Sequence, residues 1–259
     1  MSILSIRDVT VRYGEGRRQI VAVDGVSLEV PRGGVVGLVG ESGSGKSTLA
    51  KAIVGLVPLV GGAITLDGED ITDRGREATE RRRRVQMVFQ DPYSSLDPRM
   101  TVGESMTEAL TVRRRLTRAE RRSEVARLLD LVSLDPAVQA VLPRQLSGGQ
   151  LQRVSIARAL AADPRLLIAD EITSSLDVSV QGSVLNVVRE VRAELGLPML
   201  FISHNVAVVR YISDIIAVMN LGQIVEVGPT DELLAAPQHP FTKVLLDAVP
   251  TATVRSAPG

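Results

Sequence analysis

The sequence has no cysteine and no tryptophan, and it contains only three tyrosines, three phenylalanines and two histidines among 259 residues. The lack of cysteine excludes disulfides, thiolate zinc sites and cysteine-ligated iron–sulfur clusters. Positive and negative charges balance, at 30 Lys+Arg against 30 Asp+Glu, so no overall field favours nucleic acid or an anionic membrane. No apolar run approaches the roughly 18 residues of a membrane span, and residues 1–8 do not resemble a signal peptide. We therefore expect a soluble, cytoplasmic-type protein that contacts a membrane only through another protein.

Arginine is locally concentrated at residues 81–84 and 113–115. We interpret both clusters as solvated helical faces rather than binding patches, because charge runs on helices are usually exposed to water. Hydrophobic residues make up 44% of the chain, enough for the core of one large or two modest domains.

A glycine-rich stretch at residues 40–48 lies between a predicted strand at 35–39 and a predicted helix at 49–56. It fits the pattern G-x-x-x-x-G-K-[ST] of a P-loop. Glycines let successive backbone N–H groups turn inward, and the helix start adds partial positive charge, so a polyphosphate is the predicted guest. Lys46 would reach the β- and γ-phosphates, and the Ser47 hydroxyl would hold Mg²⁺. The candidate nucleotide-binding residues here are Gly40, Ser42, Gly43, Ser44, Gly45, Lys46, Ser47 and Thr48.

Alternating apolar and polar residues predict two antiparallel strands that precede the P-loop, joined by a turn across residues 14–16. Tyr13 ends the first of them, where it could stack on a flat base or close a hydrophobic edge, and position alone favours the second. The predicted strands cover residues 4–13, 21–30, 63–66, 85–89, 166–169 and 199–202, with a hairpin of 215–219 and 223–227. Helical spacing without β-branched runs predicts an inserted helical subdomain that begins at residue 101, and further helices at 151–161 and 178–195.

Two acidic residues, Asp170 and Glu171, end the buried strand at 166–169. Carboxylates at the end of a core strand carry a cost that a metal or a cation must offset. The strand-end aspartate of P-loop ATPases supports Mg²⁺, so Asp170 is the metal candidate and Glu171 the candidate base for water. His204 also follows a predicted strand, at the edge of an open parallel sheet where ligands bind.

A second candidate anion site lies at the start of the helix at 151–161. Ser147 stands where an N-cap belongs, and Gly148 and Gly149 expose N–H groups beside it. An ordinary capped helix explains these residues equally well when they are considered alone.

In this order, the residues resemble the nucleotide-binding subunit of ATP-binding cassette (ABC) transporters over roughly residues 4–248. The matching motifs are the P-loop at 40–48, the Q-loop glutamine Gln90, the signature at 146–150, the Walker B strand at 166–170 with Glu171, the D-loop at 174–177 and the switch histidine His204. The resemblance implies ATP and Mg²⁺ as cofactors and ATP hydrolysis as the activity. It makes Tyr13 an adenine-stacking residue and Gln90 a further metal ligand. It also implies that two cassettes close head to tail, so that Ser147, Gly148, Gly149, Gln150 and Asp177 lie at the nucleotide of the closed pair.

A narrower resemblance involves residues 89–100 and 239–242, which are similar to the cassettes of dipeptide, oligopeptide and nickel importers. This resemblance implies an ATP-driven motor that is paired with a second, related ABC ATPase subunit. The expected partners are also two transmembrane permeases and, indirectly, an extracytoplasmic solute-binding protein, with no nucleic acid. The expected location is the cytoplasmic face of the inner membrane, where the chain is peripheral and attached through the permeases.

The fold implied is α/β: a P-loop ATPase core with a mixed or parallel sheet, an antiparallel β-subdomain and an inserted α-helical subdomain. We place the core with its β-subdomain at residues 1–100 and 160–228. The helical signature subdomain is expected at 101–159, C-terminal helices at 229–250 and a loose tail at 251–259.

Two positions depart from the family pattern. Ile172 stands where proline usually follows the catalytic glutamate, and Asn205 where aspartate commonly follows the switch histidine. Isoleucine restores an N–H group and loosens φ, whereas asparagine keeps the shape of aspartate without its charge. These two departures keep open a weakly hydrolysing regulatory cassette that is paired with an active one. A separate alternative to the importer motor is a soluble ABC ATPase that acts on DNA or ribosomes.

Overall fold

The computed structural model describes residues 1–14, 19–73, 75–112 and 115–247. Three sequence-based expectations concern residues outside these ranges: the turn at 15–16, most of the arginine cluster at 113–115, and the tail from 251. None of the helices in the described ranges is long and apolar enough to span a membrane.

The described residues form two sheets and a set of helices around them. The strands are β1 (Ser2–Tyr13), β2 (Ile20–Pro31), β3 (Val35–Val39), β4 (Gly61–Leu66), β5 (Glu69–Asp70), β6 (Val85–Val88), β7 (Leu166–Asp170), β8 (Met199–Ser203), β9 (Ile215–Asn220) and β10 (Gln223–Pro229). The helices are α1 (Lys46–Ile53), α2 (Arg76–Arg82), α3 (Val102–Thr111), α4 (Arg118–Leu131), α5 (Gly148–Ala161), α6 (Val178–Leu195), α7 (Val206–Ile212), α8 (Thr230–Ala235) and α9 (Pro240–Asp247).

The six-stranded sheet has the order β10-β9-β3-β8-β7-β6. Its neighbouring strands are parallel except for β10, which pairs with β9 as a hairpin. Strands β3, β7 and β8 are buried at every position, as expected for continuous apolar strands covered on both faces. Because parallel strands end at one edge, the residues that follow these three strands meet there.

The antiparallel sheet, of order β2-β1-β4-β5, confirms the predicted β-subdomain. Strands β1 and β2 pair over their whole length, from Ser2 opposite Pro31 to Tyr13 opposite Ile20. Buried side chains of this sheet, of α1 and of one face of the six-stranded sheet form a single apolar cluster that includes Leu4, Leu49 and Leu200. The β-subdomain is therefore fixed on the P-loop helix.

The helical subdomain shares a second apolar cluster with the opposite face of the six-stranded sheet, including Val125, Leu151 and Phe201. Its helices begin at capping boxes: Thr101 with Glu104 before α3, and Thr117 with Glu120 before α4. Helix α5 runs to Ala161, so the domain boundary that we placed between residues 159 and 160 falls inside this helix.

The arginine run at the end of α2 faces acidic side chains, as a solvated helical face should. Arg81 lies 3.7 Å from Glu69, and Arg83 lies 2.8 Å from Glu80. Helix α7 was not predicted from the sequence. It begins where the Oδ1 atom of Asn205 accepts the N–H of Ala207 at 2.9 Å.

Candidate active site

The P-loop leaves the carboxyl end of β3 and leads directly into α1. Gly43 and Gly45 have φ of 82° and 107°, in the region that favours glycine. A Cβ atom on Gly40 would lie 2.1 Å from the Met219 carbonyl oxygen, and one on Gly45 would lie 2.2 Å from that of Ala22. No side chain fits at either position, because the backbone of Met219 and of Ala22 lies directly against the loop.

Helix α1 begins without a side-chain cap, because its N-cap residue is Gly45. The first N–H groups of a helix have no partner inside the helix and need one from elsewhere. An anion is the natural acceptor at such a helix start.

Lys46 is buried at the centre of the loop, with 4% of its surface exposed. Its Nζ atom donates to the carbonyl oxygens of Gly40 and Glu41, each at 2.8 Å, and to Ser44 Oγ at 3.3 Å. Burial lowers the pKa of Lys46, and the charges of Glu171 and Asp170 oppose that effect. A phosphate would offer this cation a stronger acceptor than neutral carbonyls do.

Asp170 lies opposite the P-loop, and its Oδ1 atom accepts the hydroxyl of Ser47 at 2.9 Å. Its carboxylate is buried, and burial raises the pKa of Asp170. A hydroxyl beside a buried carboxylate suits Mg²⁺, which prefers oxygen ligands and usually shares them with substrate phosphates. Within the described ranges, no group of three or more His, Asp and Glu could hold a metal without such help.

Glu171 and His204 follow two neighbouring strands, β7 and β8, and their side chains meet. Glu171 Oε2 lies 3.4 Å from His204 Nδ1. Glu171 has a φ of 49°, and its N–H donates to the carbonyl of Ile202 at 2.9 Å. A left-handed conformation costs a residue with a side chain about 1–3 kcal/mol, and such outliers cluster at functional sites.

Gln90 comes just after the edge strand β6, and its Nε2 atom donates to Ser174 Oγ at 3.1 Å. Ser174 Oγ in turn donates to the carbonyl of Glu171 at 2.9 Å. The structure thus connects Gln90 to the backbone of Glu171 through Ser174. Among the described residues, no hydrogen bond joins Gln90 to Ser47 or Asp170.

Tyr13 lies at the end of β1 beside the start of α1, with 42% of its surface exposed. Its hydroxyl lies 3.5 Å from Thr48 Oγ1, at the limit of a hydrogen bond. The contact places the ring next to the P-loop.

The signature lies at the start of α5, where Ser147 and Gln150 form a capping box. Ser147 Oγ accepts the N–H of Gln150 at 3.3 Å, and Gln150 Oε1 accepts the N–H of Ser147 at 3.0 Å. A Cβ atom on Gly149 would lie 2.5 Å from Val180, so the start of α5 packs on the start of α6, which Asp177 precedes. In the described part of the chain, no hydrogen bond joins the signature to the P-loop.

Ile172 and Asn205, the two departures from the family pattern, stand beside Glu171 and His204, whose side chains are still in contact. Ile172 is buried in the core with 1% of its surface exposed. Asn205 caps α7 with its side-chain oxygen, which is a role that an aspartate would also fill.

Two contacts at the site were not expected from the sequence. One is the position of Ser174 between Gln90 and Glu171, although Ser174 does belong to the D-loop motif. The other is a hydrogen bond from the N–H of Gly222, in the turn between β9 and β10, to the carbonyl of Ser44 at 2.9 Å. The sequence marks a turn at Gly222, but nothing in it indicates that this turn touches the P-loop.

Comparison with known proteins identifies two matching family models. One, described as ABC transporter, matches residues 23–174, and the other, described as Oligopeptide/dipeptide transporter, C-terminal region, matches residues 225–257.

Similar proteins are named for peptide import and ATP binding. A Brucella abortus protein whose name describes it as a peptide import ATP-binding protein is 49% identical over 253 residues, which cover 97% of this chain and 75% of the relative. A Brucella ovis protein with the same description is 45% identical over 250 residues, 96% of this chain and 79% of the relative.

Solved structures of ATP-binding cassettes have the same fold. The dimeric cassette MJ0796, in a post-hydrolysis state bound to ADP and Pi, aligns with a TM-score of 0.79 and 30% identity over 88% of this chain and 98% of that chain. The cbiO1 protein from Clostridium perfringens, part of the ABC transporter complex cbiONQ, aligns with a TM-score of 0.80 and 28% identity over 90% and 91%.

Proposed function

The chain belongs to the ABC transporter family of ATPases, and from this premise we propose that it is the ATP-hydrolysing motor subunit of a peptide importer. The proposal of a peptide rests on relatives that are named for peptide import and on the match of residues 225–257 to the C-terminal region of oligopeptide and dipeptide transporters. Of the two solute classes expected from the sequence, peptides rather than nickel have this support.

The observation that carries the catalytic proposal is the meeting of candidate side chains at the carboxyl edge of the six-stranded sheet. Ser47 contacts Asp170 at 2.9 Å, and Glu171 contacts His204 at 3.4 Å. Lys46 lies in the same cradle, where burial lowers its pKa and the charges of Glu171 and Asp170 only partly oppose that effect. A phosphate cradle, a pair of metal ligands and a candidate base are thus supplied by one chain.

The proposed mechanism gives each group one task. The P-loop N–H groups and Lys46 bind the β- and γ-phosphates of ATP. Ser47 and Asp170 would hold Mg²⁺, and the ion would supply positive charge beside the terminal phosphate. Glu171 orients the attacking water and accepts its proton, so that water replaces ADP on the γ-phosphorus. His204, which contacts Glu171, interacts with the γ-phosphate. Tyr13 stacks on adenine.

A second cassette is proposed because the signature makes no hydrogen bond to the P-loop of its own chain within the described residues. Gly148 and Gly149 carry N–H groups at the start of α5, where an anion from another subunit could bind. The related cassette MJ0796 is a dimer in its solved structure. We propose that Ser147 to Gln150 and Asp177 approach the ATP held by the partner's P-loop.

The segment at residues 93–100 is the proposed contact with a permease. Tyr93 is 56% exposed and Arg99 is exposed, whereas Pro92 is buried and anchors the segment. Asp91 holds the first turn by accepting the N–H of Tyr93 at 3.0 Å. Gln90 precedes this segment and is connected to Glu171 through Ser174, so the segment can report the state of the active site. An Arg99→Glu variant should hydrolyse ATP but lose coupled transport.

The proposed partners are two permeases and a related ATPase subunit, with a solute-binding protein acting from the other side of the membrane. The cbiO1 protein is likewise part of a transporter complex. The chain would be peripheral on the cytoplasmic face of the inner membrane.

Reconstitution of the full chain with its permeases in vesicles tests the proposal. We expect ATP-dependent uptake of labelled peptides, and EDTA should abolish both uptake and hydrolysis. Hydrolysis without peptide uptake would favour a non-transport ATPase. Uptake that persists when this chain carries Glu171→Gln would favour a regulatory cassette.

A further inference from the structure

The turn between β9 and β10 touches the backbone of the P-loop. The N–H of Gly222 donates to the carbonyl of Ser44 at 2.9 Å, and Ser44 is buried with 4% of its surface exposed. From this contact we infer that residues 220–222 fix the direction of a phosphate-binding N–H group, which makes Leu221 a positioning residue for ATP binding. The inference rests on the proposed ATP site at residues 40–48.

The peptide group between Ser44 and Gly45 fixes the direction of the Gly45 N–H. In a planar trans peptide the C=O of one residue and the N–H of the next point in opposite directions. The hydrogen bond that directs the Ser44 carbonyl toward the turn therefore directs the Gly45 N–H away from the turn. This N–H donates to no group among the described residues, and it lies immediately before α1. It is consequently free to bind an anion at the helix start.

The turn itself is held from the other side by β2. The N–H of Asp24 donates to the carbonyl of Gly222 at 2.9 Å, and Gln223 Nε2 donates to Asp24 Oδ2 at 2.8 Å. A series of backbone hydrogen bonds thus runs from β2 through the turn to the P-loop.

The P-loop has little room to adopt another path beside this turn. The Cβ positions of Gly40 and Gly45 would fall 2.1 Å and 2.2 Å from the carbonyl oxygens of Met219 and Ala22 respectively. Backbone therefore packs directly on backbone on both sides of the loop, and a change in the turn has to reach the Ser44–Gly45 peptide.

Leu221 and Gly222 both have positive φ in this turn, 46° and 85°, and Leu221 is the one of the two that carries a side chain. This side chain has 84% of its surface exposed. The side chain has little packing to lose, so substitutions here act mainly on the backbone. A β-branched residue is strained at this φ, whereas asparagine and glycine adopt it readily.

The test compares Leu221→Ile with Leu221→Asn in the full-length chain. Binding of a fluorescent ATP analogue gives the affinity, and steady-state hydrolysis separates KM from kcat. Leu221→Ile should weaken ATP binding on the order of 10-fold, the scale of one hydrogen bond to a charged group, and raise KM while kcat at saturating ATP is kept. Leu221→Asn should bind and turn over ATP like the wild type.

Ser133→Ile is the matched control for strain. Ser133 has a φ of 55°, is exposed and follows α4 in the helical subdomain, so the same β-branched side chain meets the same backbone problem elsewhere. It should leave ATP affinity unchanged. Thermal unfolding without nucleotide shows whether both isoleucine variants are folded and equally destabilised.

Binding measurements on Leu221→Ile and Lys46→Ala distinguish a failure of the role of the turn from a failure of the proposed ATP site. If Leu221→Ile binds ATP with wild-type affinity while Lys46→Ala loses ATP binding, the role of the turn is overturned and the proposed ATP site stands. If Lys46→Ala binds ATP as the wild type does, the proposed ATP site itself is overturned. Equal losses of affinity in the Leu221 and Ser133 isoleucine variants would show a general effect of strain and also overturn the inference. If Leu221→Ile does not fold, Gln223→Ala removes the contact with Asp24, and the inference then requires a smaller but measurable loss of ATP affinity.

Discussion

Two helices of this protein begin at glycine-rich turns, and they begin in different ways. Helix α1 begins within the P-loop with Gly45 as its N-cap and no side-chain cap, whereas α5 begins within the signature with a complete capping box of Ser147 and Gln150. The first N–H groups of α1 therefore have no side-chain acceptor from an N-cap residue. At the start of α5, Ser147 Oγ accepts the N–H of Gln150, and Ser147 and Gly148 are exposed for contact with another molecule.

The charges around the two turns differ as well. Lys46 lies within the P-loop and Asp170 and Glu171 lie near it, and Lys46 and Asp170 are buried. The signature at residues 146–150 carries no charged side chain. In the proposed mechanism, one turn binds and hydrolyses a nucleotide with groups of its own chain, while the other adds neutral donors to a nucleotide that is already held. This difference leads to the central claim: the two turns serve two different ATP molecules.

The largest effect is expected for Glu171→Gln, which tests whether the ATP at the P-loop is hydrolysed by groups of this chain. Glu171→Gln leaves the P-loop, Lys46 and the Ser47–Asp170 contact unchanged but removes the base for water. ATP affinity should be kept while turnover falls about 10²- to 10⁴-fold. Steady-state hydrolysis and nucleotide binding in the assembled transporter measure the two quantities. Glu190→Gln, on the exposed face of α6, is the control, and a Glu171 variant with half the wild-type rate would contradict the assignment.

A smaller effect is expected at the edge of the same cradle. Tyr13→Ala should weaken ATP binding by roughly 1–3 kcal/mol if the ring stacks on adenine, on the scale of base–aromatic stacking. Tyr13→Phe keeps the ring and loses only the long contact of the hydroxyl with Thr48, so its affinity should match the wild type. Titration with ATP measures both variants. A phenylalanine variant as weak as the alanine variant would show that the hydroxyl, and not stacking, matters.

The smallest effect concerns the charge buried at Asp170. Burial raises the pKa of this carboxyl group, so the folded chain binds the proton more tightly than the unfolded chain does. The ionised group therefore destabilises the nucleotide-free chain, and stability should rise as the pH falls through the folded pKa. Asp170→Asn should raise the Tm of this chain near neutral pH and weaken that pH dependence.

Thermal scans at several pH values, with Asp130→Asn on the exposed surface of α4 as the control, test this prediction. The Asp170 variant should also lose Mg²⁺-dependent hydrolysis. A lower Tm than that of the wild type would show that the Ser47–Asp170 contact outweighs the cost of burial.

Much of this site follows from the sequence because motif spacing fixes which residues end parallel strands. Ser47 and Asp170 are 123 positions apart, but the P-loop follows β3 and Asp170 ends β7 in the same sheet, so their meeting was predictable. The predicted hairpins and the helix at 178–195 were also confirmed. They could be predicted because alternation and helical spacing are local signals.

Other features depend on contacts that no local pattern contains. Helix α7 is rich in valine, which favours strands, and forms a helix because Asn205 caps it and its apolar face packs on β3 and β8. The left-handed conformation of Glu171 and the contact of Gly222 with Ser44 involve residues of different strands and turns, which local sequence patterns do not relate. The acceptors of Lys46 could not be read from the P-loop motif, which specifies the lysine but not the direction of its amine.

The most direct test of the central claim places a bulky residue at the signature of this chain alone. In a transporter with Ser147→Arg in this subunit and a wild-type partner, photolabelling with an azido-ATP and single-turnover hydrolysis report which nucleotide is affected. Ser147→Thr, which keeps a capping hydroxyl, is the control. The account predicts that ATP still binds at this chain's own P-loop and that hydrolysis of the ATP held by the partner falls on the order of 10²- to 10³-fold, the cost of losing a preorganised donor. A defect confined to the ATP at this chain's own P-loop would contradict it.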